Sequence, residues 1–173
     1  FQPVSWARDV YKRQDSIYGL LGPNGAGKTS LFSILAGLSK PSEGEVLYDS
    51  KIVNNLSFEK RSELGVIYLP QEPSVFRELT VEENIKAALE AKKIEKKEID
   101  NKFTRISEEF DLMGIKTQKC NSLSGGQRRR VEIARAIALN PKLILLDEPF
   151  AGIDPLIINE IKTLIKNLKE KGI

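Results

Sequence analysis

The chain has 173 residues, 40% hydrophobic and 29% charged, and 27 basic against 24 acidic side chains leave a net charge of +3. That suffices for one globular domain with a sizeable core, and the charge is too balanced for nucleic acid or an acidic membrane surface to be the main partner. The absence of histidine excludes a Ser-His-Asp triad and a histidine-ligated metal, the single Cys120 excludes an internal disulfide and fits a reducing cytoplasm, and no apolar run reaches the roughly 20 residues of a membrane span.

Residues 1–14 have no apolar stretch of signal-peptide length. Ile17 to Leu21 is a short apolar run that reads as a buried strand, ending in a Gly-rich turn from Gly22 to Gly27. Thr29 to Leu38 carries Leu31, Ile34, Leu35 and Leu38 at helical spacing, with Pro41 and Gly44 as its stop. A strand over Glu45 to Tyr48, a turn at Asn54-Asn55 and a strand over Val66 to Leu69, closed by Pro70, follow. Thr80 and Glu83 form a capping box that opens one helix. Ile94 to Met113 is a second, with Phe103, Ile106, Phe110 and Met113 on one face and Gly114 as C-cap. A third opens at Ser124 and ends at Asn140-Pro141. Leu143 to Leu146 is a continuous apolar strand covered on both faces. Asp154 as N-cap and Pro155 at the first helical position start a last helix that fades at Gly172. Strands alternate with helices at both ends of the chain around a helical block, which predicts an α/β fold with a parallel sheet and a helical insertion. The Lys/Glu-rich stretch from Glu90 to Glu98 reads as a solvated helix face and its loop.

Gly22-Pro23-Asn24-Gly25-Ala26-Gly27-Lys28-Thr29 fits GxxxxGK(S/T), between a predicted strand and a predicted helix. Its glycines let successive backbone N–H groups turn toward one anion, and the helix adds its positive end. Lys28 supplies a point charge for the β- and γ-phosphates, and the Thr29 hydroxyl suits Mg²⁺. Ser30 completes the nucleotide-binding set of residues 22–30. Asp147 and Glu148 end the apolar strand, at the carboxyl edge where α/β sheets bind ligands. Asp147 is placed to hold the Mg²⁺ shell, and Glu148, pointing to the other side by strand alternation, to polarise the attacking water. With Lys28, Glu148 forms the catalytic set read from these residues.

Leu123-Ser124-Gly125-Gly126-Gln127 is another helix N-terminus with exposed amides and an S-x-x-Q capping box. With this pentapeptide, residues 15–173 resemble the ABC ATPase family, which implies a P-loop NTPase (RecA-like) sheet with a helical signature subdomain over about residues 72–139. The resemblance adds Gln71 as a catalytic, Mg²⁺- and water-sensing residue. It matches Ala151-Gly152-Ile153-Asp154 to the loop after the catalytic strand, with Asp154 near the nucleotide. It also implies a homodimer in which Ser124, Gly125, Gly126 and Gln127 act on the partner's ATP. Residues 68–77, 128–135 and 147–155 look most like the ATPases of lipopolysaccharide export. That likeness implies a cytoplasmic subunit at the inner face of the membrane, docked to permease subunits through Phe76 and Arg77, with ATP and Mg²⁺ as cofactors. Arg128, Arg129 and Arg130 point about 100° apart on a helix and form no single nucleic-acid patch, so a solvated or phosphate-proximal helix start is expected of them.

Two of the family's parts have no match. Residues 1–14 lack the alternation of its opening strands and read as a non-native or disordered leader, with the native frame starting near Asp15, so neither Trp6 nor Tyr11 is assigned to adenine stacking. The switch histidine of the family lies on a strand after the last helix, so its absence is expected from truncation, and the piece as it stands is expected to bind ATP weakly and turn over little. Alternatives share the chemistry or change its setting: another transporter's ATPase, such as a branched-chain amino acid importer, a soluble ABC protein of translation or repair, or a nucleotide-binding module without catalysis. Thr29 and Ser124 are too close for the long coiled coil of repair types, one cysteine is too few for a zinc site, and Glu148 argues against a non-catalytic module.

Overall fold

The computed structural model describes residues 16–92, 94–170 and 172–173, so the leader with Trp6 and Tyr11, and Asp15, lie outside the described residues. The elements run α1 (Lys28–Ala36), β1 (Leu47–Tyr48), β2 (Lys51–Ile52), α2 (Phe58–Glu63), β3 (Val66–Leu69), α3 (Val81–Ala91), α4 (Lys96–Glu109), α5 (Gly125–Ala138), β4 (Leu143–Leu146) and α6 (Pro155–Glu170). Short 3₁₀ turns at Met113–Ile115 and Cys120–Ser122 join α4 to α5.

β3 and β4 pair in parallel with Val66 opposite Leu143 and Leu69 opposite Leu146. Their side chains alternate between two apolar layers, which is why both strands read as continuous hydrophobic runs. Val66 and Leu145 pack with Phe32, Leu35 and Ala36 of α1 on one side. Ile67 and Leu69 face the larger core on the other, with Ile85, Leu89, Phe103, Phe110, Val131, Ile133 and Ile161 from α3 to α6 and the loop after α4. Truncating a side chain such as Phe110, which is 1% exposed, costs about 3–5 kcal/mol by lost burial and residual cavity.

The structure departs from the sequence reading at five places. Residues 17–21 form no strand, and Ile17 is 53% and Leu21 90% exposed. The first helix ends at Ala36, before Pro41 and Gly44. Gly37 adopts φ 85°, and its N–H and that of Leu38 reach back to the carbonyls of Ile34 and Ser33. That is the Schellman closure, which glycine enters without a Cβ penalty. The second long helix starts at Lys96 and stops at Glu109, because Asp111 turns left-handed at φ 53° and Leu112 N–H bonds to Ser107 O. Gly114 therefore sits in a 3₁₀ turn instead of capping α4, and Met113 leaves the buried face at 37% exposure. The β1–β2 hairpin was not foreseen. Asp49 and Ser50 at φ 48° and 62° supply the two left-handed residues that a two-residue turn needs. Helix α2, only 6 residues long, carries no helical stripe long enough to register in sequence.

The local signals held where the partners are close in sequence. Both capping boxes, Thr80 with Glu83 and Ser124 with Gln127, have each side chain bonded to the other residue's backbone. Asp154 Oδ1 accepts the Leu156 N–H at 2.9 Å and caps α6. No described helix is long and apolar enough to cross a membrane.

Candidate functional site

The Gly-rich loop turns on itself at Pro23–Ala26, where Ala26 N–H donates to Pro23 O at 3.2 Å. Gly25 and Gly27 have φ 82° and 84°, a conformation that strains any residue with a Cβ. Gly27 is the N-cap of α1 and offers no side-chain acceptor, so the first N–H groups of the helix stay open to an anion. Lys28 folds back across the loop, its Nζ donating to Gly22 O at 2.8 Å and Pro23 O at 2.9 Å. A cation thus sits against the loop whose amides favour negative charge.

Thr29, Gln71 and Asp147, the three residues read as Mg²⁺ contacts, line one cavity of about 390 Å³ with Tyr68, Pro70, Glu72, Pro73 and Ser74. Three distant segments supply it: the start of α1, the loop after β3 and the carboxyl end of β4. Asp147 extends the ladder beyond β4 through Asp147 N–H to Leu69 O at 3.0 Å, and the residue is 2% exposed. A slightly larger cavity of about 430 Å³ lies at the opposite end of the strands, lined by Gly65 and Lys142 among others. It carries none of the sequence-predicted groups, and the carboxyl ends are where such sheets hold ligands.

Glu148 leaves the strand. Its backbone is left-handed at φ 43° and its side chain is exposed, so strand alternation does not place it; the turn does. A non-glycine residue there costs about 1–2 kcal/mol, strain of the kind that persists at functional positions. Glu148 does not line the cavity.

The structure does not bring residues 124–127 to that cavity. They open α5 beside the 151–157 segment, where Gly125 faces Gly152 O and Gly126 is buried against Ile157. A Cβ at Gly126 would stand 2.7 Å from Ile157 Cγ2, so alanine there makes the Ile157 side chain shift. The three arginines indeed diverge, but they are not a solvated row. Arg128 donates to Leu123 O, Arg130 pairs with Asp111 and Glu160, and Arg129 is buried at 6% exposure with Glu132. Cys120 is fully buried and accepts from Asn84 Nδ2 at 3.3 Å.

Tyr68 was missed in the sequence. Its hydroxyl donates to Asp147 Oδ2 at 3.2 Å, across 79 residues of chain, and only the β3–β4 register brings the two together. Burial first, then the Asp147 charge and their hydrogen bond, push the phenol up to about 12 from 10.0. The folded state therefore holds this proton more tightly than the unfolded chain. The contribution is intact below pH 10 and is lost as pH rises to about 12. Tyr68→Phe is expected to lose stability less steeply than the parent across that window in denaturant titrations, and superimposable pH profiles would refute the pairing.

Among the described residues no cluster of three His, Cys, Asp or Glu side chains could cage a metal. The Asp147 carboxylate, the Thr29 hydroxyl and the Gln71 amide on a shared cavity suit a cation that arrives largely coordinated by phosphate and water, as Mg²⁺ does. The donor set therefore fits magnesium with a polyphosphate.

Comparison with known proteins gives the same picture. The family model for ABC transporters matches residues 9–151. The chain is 47% identical over 160 residues to the lipopolysaccharide export system ATP-binding protein LptB of Haemophilus influenzae, covering 92% of this chain and 66% of that protein. It is 44% identical over 158 residues to LptB of Escherichia coli K12, covering 91% and 66%. A nucleotide-free ATP-binding cassette from an ABC transporter superposes with a TM-score of 0.82 at 32% identity, over 93% of this chain and 69% of that one. A dimeric post-hydrolysis cassette bound to ADP and Pi superposes at 0.75 and 32% identity, over 87% and 68%. The chain thus spans 66% and 65% of the first two curated relatives it matches.

Proposed function

From the premise that this chain belongs to the ABC transporter ATP-binding family, we propose that it is the MgATP-hydrolysing subunit of a lipopolysaccharide exporter. The observation that carries the catalytic part is the meeting of Thr29, Gln71 and Asp147 on one cavity beside the Lys28 loop. The cargo rests on likeness to relatives named for lipopolysaccharide export.

In this reading residues 22–30 wrap the triphosphate, with open amides at the start of α1 and the Lys28 ammonium as donors. Thr29 Oγ1, the Asp147 carboxylate and Gln71 would hold Mg²⁺, which when bound would supply neutralisation of the negative charge that develops during phosphoryl transfer. Tyr68 keeps the Asp147 carboxylate oriented by donating to it. Glu148 orients a water and takes its proton, a task suited to an exposed carboxylate at the end of β4. Asp154 and the residues of the signature, Ser124 to Gln127, complete a nucleotide site at the interface of two copies. That none of them lines this chain's own cavity supports that division of labour, as does a relative described as dimeric with ADP and Pi.

Phe76 and Arg77 form the permease contact. Phe76 is 52% exposed yet fixed, with the Arg135 guanidinium 4.6 Å from its ring centre and Asn84 holding its backbone N–H and C=O. Attachment to the cytoplasmic face of the inner membrane follows through that contact. The test co-expresses the chain, extended to the length of its relatives, with membrane proteins encoded beside it. The parent is expected to co-purify with them and hydrolyse ATP faster in their presence, and Phe76→Ala with Arg77→Glu is expected to lose both effects. Co-purification with an amino acid permease would reassign the cargo, and binding that ignores both substitutions would move the docking surface elsewhere.

A further inference from the structure

One face of α5 grips the loop that carries Gln71 at Pro70 and Ser74. Glu132 Oε1 accepts the Ser74 N–H at 2.7 Å, and Arg135 Nη1 donates to Ser74 O at 2.5 Å. Arg129 Nη1 reaches Pro70 O at 3.4 Å and pairs with Glu132 Oε2 at 2.8 Å. Arg135 then covers the Phe76 ring. Residues 129, 132 and 135 recur every third position, so they share one face of α5. The Arg129 and Glu132 side chains are 7% and 3% exposed. An ion pair buried so deeply contributes little net stability against an apolar replacement.

The same helix begins at Ser124 with its capping box. One rigid element therefore holds the residues assigned to a partner's nucleotide at its first turn and the loop of this chain's own nucleotide two turns later. We propose that Arg129, Glu132 and Arg135 are a strut that positions Gln71 and makes the 70–76 loop and the 124–127 turn move as one body. The proposal rests on the nucleotide site described above. Glu132 and Arg135 are positioning residues that act through Ser74 and Gln71, and neither lines the cavity.

The experiment compares E132Q, R135K and R135M with the parent, extended to the length of its relatives, using a fluorescent ATP analogue, steady-state hydrolysis and amide exchange over residues 70–76. The phosphate loop is untouched, so affinity is expected to stay within about twofold. A loosened Gln71 is expected to lower kcat about 10- to 100-fold, with R135K intermediate and R135M lowest. Amide exchange over 70–76 should rise in the variants and cease to respond to MgATP. Unchanged kcat with raised exchange would overturn the proposal, as would losses of affinity and kcat that track a general drop in melting temperature. If E132Q fails to fold, the R135K and R135M pair decides by itself. A parent that binds but does not hydrolyse ATP would sink the proposed function, while the MgATP response of the exchange would still judge the strut.

Discussion

Lys28→Ala is expected to weaken MgATP binding about 10- to 100-fold, equivalent to about 1.4–2.8 kcal/mol, and to leave no measurable turnover. The ammonium sits against the loop carbonyls of Gly22 and Pro23, 2.8 and 2.9 Å away, within the loop itself. Two charges 4 Å apart at an effective dielectric of 20 interact by about 4 kcal/mol, and the partial exposure of the loop lowers the share that binding retains. Because those hydrogen bonds are exposed, the melting temperature should hardly move, which separates lost binding from lost folding. Lys28→Arg should not rescue it, since a planar fork cannot take the place of a compact point charge inside so tight a turn. Titration with a fluorescent nucleotide gives the answer, and undiminished affinity in Lys28→Ala would mean that the triphosphate binds somewhere else.

Glu148→Gln is expected to do the opposite: affinity kept, chemistry lost. A positioned carboxylate that takes a proton from the attacking water contributes about 10²–10⁴-fold, and the amide keeps the shape without the basicity. The substitution should cost little stability, because the side chain is exposed and the strain at φ 43° belongs to the backbone that glutamine inherits. With hydrolysis stopped, ATP should accumulate at the interface of two copies, seen as a nucleotide-dependent dimer in size-exclusion chromatography of the protein at the length of its relatives. Turnover near the parent rate would remove Glu148 from its assigned role, and a monomer with tightly bound ATP would remove the shared interface. Read together, the two variants divide the site into a binding half on α1 and a chemical half after β4.

The parts that were legible in sequence are those whose partners stand within four residues. The turn of Gly22 to Lys28 needs only its own glycines, and each capping box closes across three positions. The apolar strands at 66–69 and 143–146 announce themselves because both faces are covered. The helix limits were less legible. Gly37 and Asp111 end α1 and α4 by turning left-handed, a choice that Pro41 and Gly44 in one case and Gly114 in the other had concealed. Residues 17–21 carry the apolar character of a strand, yet they form none and leave Ile17 and Leu21 exposed.

By itself the sequence determined the groups on offer: a Gly-rich turn with its lysine and threonine, two acids at a strand end and a second amide-rich helix start. Such features are properties of residue type and short spacing, and hydrogen bonds closed within one turn enforce them. Only the tertiary structure decided where these groups stand. The register of β3 on β4 joined Tyr68 to Asp147 across 79 residues, the packing of α5 under the loop joined Glu132 to Ser74 across 58, and a left-handed turn aimed Glu148 where alternation would not have. Contacts of that span form when apolar layers are buried together, and no local pattern encodes them because their free energy comes from the core, not from the segment.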